Sequence, residues 1–207
     1  MYLEQPLQQY LDDLASANST PGGGSASAIS GAMGAALASM VARLTIGKAN
    51  YADVEQEITA LLQQTERLRE RFQQLMQEDI DAYGKLSAAF KLSRYTEEER
   101  SARTEAIQEQ LAEAALVPLE VVECSAELVK CCRRFAEIGN KNVLSDIAAG
   151  ALLGASAGMG AAWMVRVNLQ SMKDAELVDV LSDRLGVALD TITEWNQEIL
   201  TIVGSRT

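Results

Sequence analysis

Apolar residues recur along this chain at steps of three and four, the period of a helix, over most of its length. Leu7, Tyr10, Leu11 and Leu14 outline a short first helix, closed by Asn18-Ser19-Thr20-Pro21. The cluster Gly22-Gly23-Gly24-Ser25 opens a second segment, Ala26 to about Thr45, which is rich in Ala, Gly, Ser and Met and carries no charge before Arg43. A third helix is predicted from about Asp53, a suitable N-cap. Its stripe reads Leu61, Thr65, Leu68, Phe72, Leu75, Asp79, Ala82, Leu86 and Ala89, a bundle seam with one acidic intruder. Thr96 with Glu99 forms a capping-box pattern that starts a fourth helix. The same stepping then picks out Ile107, Leu111, Ala114, Pro118, Val121, Ser125, Leu128, Cys132 and Phe135. Because the stripe stays in phase across Pro118, that residue is expected to bend the helix rather than end it. Gly139-Asn140 is the stop signal. A fifth helix spans about Val143 to Leu169, with Gly150, Gly154 and Gly158 one turn apart. A last one follows Asp174, with Leu181, Leu185, Ala188, Ile192, Trp195, Ile199 and Ile202 as its stripe. No segment alternates as a strand does. The pattern predicts an all-α, up-and-down bundle of about six helices in a single domain, residues 1–207.

The second and fifth helices are apolar nearly all round, which predicts burial on every side. In a chain of 207 residues, packing against a second copy is one way to supply that cover, so a homodimer is expected. Ile147 to Val165 is 19 uncharged residues, long enough to span a bilayer. Its Ala, Gly and Ser content and its close flanks, Asp146 and Arg166, favour a buried helix and no membrane partner. The formal charge of −11, with no long Lys/Arg run, argues against nucleic acid as a partner. The N-terminus lacks a basic region followed by an apolar one, so a cytoplasmic location is expected. Cys124, Cys131 and Cys132 lie within nine residues on one helix, and there is no His to complete a zinc site. Reduced thiols and no metal are the expectation.

Three clusters carry the candidate chemistry. Asp79 sits where its neighbours in the pattern are apolar or small; a buried carboxylate is costly unless paired and has a movable pKa, which suits proton transfer. A local ion pair is the structural alternative. Asp81 lies about 200° further round and reads as a solvated charge. Pro21 to Ser25 places successive glycine amides before a helix, which can line an anion site; a flexible connection with Ser25 as N-cap explains the same residues. Gly139 to Asp146 is a polar turn entering the least polar helix, in which Ser145 and Asp146 can simply stabilise the first turn.

Taken in order, these pieces resemble the formiminotransferase-cyclodeaminase C-terminal domain family. The resemblance rests on Pro21 to Ser25 with the Ala-rich helix after it, Met40-Val41, Gly47-Lys48, Asp79 to Tyr83, Ala89 to Leu92 and Arg103 to Gln108. It continues through Ala114 to Leu119, Gly139 to Asn142 with Ser145-Asp146, and Val165 to Asn168 with Asp174. Two positions depart from it: Ser93-Arg94 where the family often has Pro-Lys, and Met164-Val165 where it often has Asn-Val.

The resemblance implies a helical dimer acting on a folate substrate. Members either close 5-formiminotetrahydrofolate to 5,10-methenyltetrahydrofolate with loss of ammonia, or hydrolyse the methenyl form to 10-formyltetrahydrofolate. On that basis the expected catalytic groups are Asp79, Asp146 and Lys48. The expected substrate-binding residues are Gly22, Gly23, Gly24, Ser25, Asn140, Asn142 and Ser145. Neither reaction moves electrons, so no cofactor is expected. A non-catalytic folate-binding or scaffold bundle is the competing reading, and a membrane-associated helical protein a third.

Overall fold

The computed structural model describes residues 2–206 and is helical throughout. Its α-helices are α1 (Leu7–Leu14), α2 (Gly23–Arg43), α3 (Glu55–Phe90), α4 (Glu97–Ile138), α5 (Leu144–Leu169) and α6 (Ala175–Arg206). Short 3-10 turns lie at Tyr2–Glu4, Ala49–Val54 and Lys141–Val143, with non-helical connections between the elements. The expected six-helix bundle is therefore observed. The third helix starts later than predicted, because the chain passes through the Ala49–Val54 turn before the α-helical pattern begins at Glu55.

Helices α2, α3, α4 and α5 form a ring in which α2 and α4 each touch both α3 and α5, while α6 packs on α4 and α5. Successive long helices run antiparallel. Ser39 Oγ meets Thr65 Oγ1 at 2.8 Å, Arg71 bonds Glu120, and Ser30 Oγ donates to the Leu153 carbonyl. The seam predicted for α3 is buried from Thr65 to Ala89, apart from half-buried Asp79. In α4, the capping box forms as predicted: Glu99 N–H donates to Thr96 Oγ1 and Thr96 N–H to Glu99 Oε2, each at 3.2 Å. Pro118 is buried within α4, which continues unbroken past it. The first helix departs from expectation: only Tyr10 of its apolar stripe is buried, and Leu7 and Leu11 face outward.

Small residues let α2 and α5 approach closely. A Cβ added at Gly34 would lie 2.7 Å from the Gly150 carbonyl oxygen, a backbone atom that cannot swing aside. The outward sides of the same two helices remain uncovered: Met33 is 49% exposed, Met159 49% and Trp163 62%. Burial on every side is thus not achieved within one chain. Both helices are also long and apolar enough to cross a membrane, with a mean hydropathy of 1.4.

The Gly34 contact yields a stability prediction. Gly34→Ala is expected to lower stability by about 1–3 kcal/mol through overpacking, despite the better helix propensity of alanine. Urea denaturation checks this, and unchanged or increased stability would contradict the close approach.

Candidate functional site

The first candidate cluster and the second meet at one point. The chain leaves α1, passes a cis Thr20–Pro21 peptide, and enters α2 through the glycines. Gly22 is the N-cap, and Ser25 is the third residue of the helix, not its cap. Ser25 Oγ reaches back instead, donating to the Gly22 carbonyl at 2.9 Å and accepting from Gly22 N–H at 3.2 Å. Tyr10, buried beneath, brings its phenol to 3.2 Å from the same Oγ.

Against this turn α3 lays Asp79. A Cβ at Gly24 would fall 2.0 Å from Asp79 Oδ1, so only glycine permits the approach. The Ser25 backbone N–H, one of the donors a helix start leaves unpaired, lies beside the carboxylate and favours its charged form. The anion that the glycine turn receives is therefore the protein's own. Burial pushes the Asp79 carboxyl up from 3.8 to about 6, the Ser25 amide opposing the shift without cancelling it. Burial also raises the Tyr10 phenol pKa, which the Ser25 contact lowers and the Asp79 charge raises further.

Asp79 opens into a cleft of about 210 Å³ lined by Ser19, Thr20, Gly22 to Gly24, Ala82, Tyr83, Ala114, Met164, Val167 and Asn168. No Lys or Arg is among these residues. The volume falls below the roughly 300–1,000 Å³ of sites that enclose a whole drug-sized ligand. A cleft of this size has room for only part of a drug-sized ligand, and its carboxylate favours N–H donors or positive charge beside it.

The remaining candidates lie at the other end of the bundle. Lys48, Asn140 and Asn142 border a recess of about 290 Å³ with Tyr51 and Lys141. Asn140 is buried there and ties α2 to α5: its Nδ2 donates to the Leu44 carbonyl at 2.8 Å, and its Oδ1 accepts from Asn142 N–H at 3.1 Å. Ser145 and Asp146 occupy the first turn of α5. Asp146 and Met164 are eighteen residues apart on that helix, which at its rise separates the two ends by roughly 27 Å. One chain thus unites Gly22, Gly23, Gly24, Ser25 and Asp79, and holds Lys48, Asn140, Asn142, Ser145 and Asp146 apart from them. Among the described residues, no group of three Cys, Asp or Glu is placed to hold a metal ion. Burial pushes the Cys124 and Cys131 thiols up to about 12, and all three cysteines are free and buried.

Tyr10, Tyr83 and Asn168 line or support the cleft without having been singled out from sequence. Tyr10 offered a faint signal, as the one polar-tipped residue in the first stripe. Asn168 offered another, as an amide near the end of the greasiest helix.

The site is thus a half-buried carboxylate, its pKa raised toward neutrality, set at a glycine turn of an all-helical bundle, and perturbed carboxyls of this kind cluster at functional sites. The formiminotransferase-cyclodeaminase family model matches residues 6–186, and the chain belongs to that family. A methenyltetrahydrofolate cyclohydrolase from Methylorubrum extorquens is 39% identical over 203 residues, 98% of this chain and 97% of that protein. The formimidoyltransferase-cyclodeaminase of Rattus norvegicus is 33% identical over 172 residues, 83% of this chain and 32% of that longer protein. The crystal structure of formiminotetrahydrofolate cyclodeaminase from Thermotoga maritima superposes with a TM-score of 0.90 at 29% identity, covering 99% of this chain and 98% of that one.

The Asp79 environment makes a signed prediction. Its pKa is raised from 3.8 to about 6 in the folded chain, so the folded state holds this proton more tightly than the unfolded state. Its contribution to stability is complete below the unfolded value and is lost as pH rises through about 6. Asp79→Asn stays neutral and is therefore expected to be more stable than the parent at pH ~8 by about 1–3 kcal/mol, and not at pH ~3.5. Urea denaturation at both pH values checks this; an equal difference at the two would contradict it.

Proposed function

We propose that this chain is a tetrahydrofolate one-carbon enzyme acting on the carbon held between N5 and N10. The observation that carries the reading is Asp79, a carboxylate of pKa about 6 in a cleft without cations. The methenyl substrate is a cationic amidinium, and a carboxylate beside it stabilises that charge. In hydrolysis, water adds to the bridging carbon and gives up a proton. Asp79 accepts it, then returns it to N5 as the carbon–N5 bond breaks, while the hydroxyl on that carbon releases its own proton to solvent and becomes the formyl C=O of 10-formyltetrahydrofolate. A group titrating near neutrality suits both transfers. No electrons move, so no redox cofactor is required.

Cyclohydrolase activity is favoured by end-to-end similarity to a protein of that name. Cyclodeaminase activity is favoured by the Thermotoga maritima structure. There N10 attacks the formimino carbon and ammonia leaves, with Asp79 handling the proton transferred to the departing nitrogen.

The site is completed, on this reading, by a second copy. The exposed sides of α2 and α5, with Met33, Met159 and Trp163, supply an uncharged face for it. A two-fold axis lying in that face and crossing the helices sets the Asp79 end of one protomer over the Lys48 and Asp146 end of its partner. The small cleft is thereby extended by cationic and amide groups suited to the glutamate tail.

Two assays of the methenyl chromophore test the reaction. One supplies 5,10-methenyltetrahydrofolate and follows accelerated loss; the other supplies 5-formiminotetrahydrofolate and follows gain. Asp79→Asn is expected to lower kcat about 10²–10⁴-fold, and loss of only a few-fold would contradict the assigned role. Subunit mixing tests the shared site. Asp79→Asn and Asp146→Asn protomers, each inactive alone, are expected to regain activity when exchanged into mixed dimers. No recovery after demonstrated exchange would contradict the shared arrangement.

A further inference from the structure

Pro118 leaves a mark on the cleft wall. In an α-helix the N–H of residue 118 would donate to the carbonyl of Ala114, four residues earlier, but proline has no N–H. That carbonyl is nevertheless satisfied: Asn168 Nδ2, reaching across from α5, donates to it at 2.7 Å. The second Nδ2 hydrogen goes to the Met164 carbonyl at 3.0 Å. Both donors of the amide are then used. The opposite flip would set Oδ1 against two carbonyl oxygens, so the orientation is fixed. Among the described residues nothing donates to Oδ1, which is the polar atom Asn168 has left to offer the cleft it lines with Ala114 and Asp79.

The cleft therefore presents a fixed neutral acceptor as well as a carboxylate, with no cation in its lining. That arrangement selects a ligand edge carrying N–H donors. We infer that Asn168 binds the N–H-bearing edge of the pteridine head through Oδ1, and that Pro118 is a positioning residue acting through it. The helix proline is the reason an amide can sit here: it frees the carbonyl that locks the side chain. The inference rests on the folate reading above for the identity of the ligand.

The test uses four proteins: the parent, Asn168→Ala, Pro118→Ala and the double variant. Each is measured for thermal midpoint and for the Kd of 5-formyltetrahydrofolate, a stable folate probe, by titration calorimetry. Asn168→Ala removes the acceptor and orphans the Ala114 carbonyl, so it lowers the midpoint and raises Kd roughly tenfold. Pro118→Ala supplies a helical N–H that competes for that carbonyl; it keeps the midpoint and weakens binding a few-fold. The double variant separates structure from recognition. Its midpoint recovers relative to Asn168→Ala, because the backbone N–H at position 118 now serves the carbonyl, while its Kd remains roughly tenfold weakened. Recovery of affinity along with the midpoint would overturn the inference, making Asn168 a structural cap alone. Parent-like affinity in Asn168→Ala would overturn it too while leaving the folate reading standing. A parent protein that fails to bind the probe, in calorimetry where a known folate enzyme does, would overturn both.

Discussion

The approach of Asp79 to the Gly22–Ser25 turn is the constraint around which the site is arranged. A carboxylate placed in a bundle seam needs a partner, and here no cation serves. What serves is backbone: the Ser25 N–H of a helix start, reachable because Gly24 has no Cβ to block the way. The compensation is partial. Burial still outweighs it and leaves the carboxyl titrating near neutrality, where it can both take and give a proton. An Arg at this point would have stabilised the charge and abolished that capacity. Tyr10 and Ser25 hold the turn from beneath, which explains why a short, largely exposed first helix buries this one tyrosine.

The same economy of side chains governs the packing. Glycines and alanines on α2 and α5 allow the two backbones to meet at Gly34 and Gly150, which draws the cleft residues at one end of the pair into register. Large apolar residues such as Met33, Met159 and Trp163 on the outer faces leave a surface with little polarity, and the two polar clusters fall at opposite ends of it. The second copy proposed above accounts for both features, since it would cover the apolar strip and bring unlike ends together. In this arrangement the glycine-rich helices serve the chemistry by being thin.

Much of this was legible from sequence. The periods of three and four placed the α3, α4 and α6 seams, because burial against neighbours decides those positions and apolar residues record it. Asp79 was visible as a break in the seam, and the glycine turn as a run able either to line an anion site or to serve as a flexible connection. Their direct contact was not visible: it depends on how α2 and α3 pack across a 54-residue separation from Ser25 to Asp79. The alternative that made Ser25 the N-cap fails, because Ser25 is the helix's third residue reaching back to Gly22. The start of α3 was misplaced because a 3-10 turn satisfies the same local preferences as a helix start. Asn168 was hidden for a different reason. Its meaning lies in a carbonyl freed by a proline on another helix, and no single-helix pattern encodes that pairing.

The central claim is that Asp79 is a desolvated carboxyl able to exchange its proton near neutral pH. The most direct test is a carbon-13 NMR titration of aspartate-labelled protein, with the Asp79 side-chain carboxyl resonance assigned by its loss in the Asp79→Asn variant. The account predicts a midpoint of about 6. A midpoint at the ordinary value of 3.8 would mean a carboxylate open to water, and would contradict it.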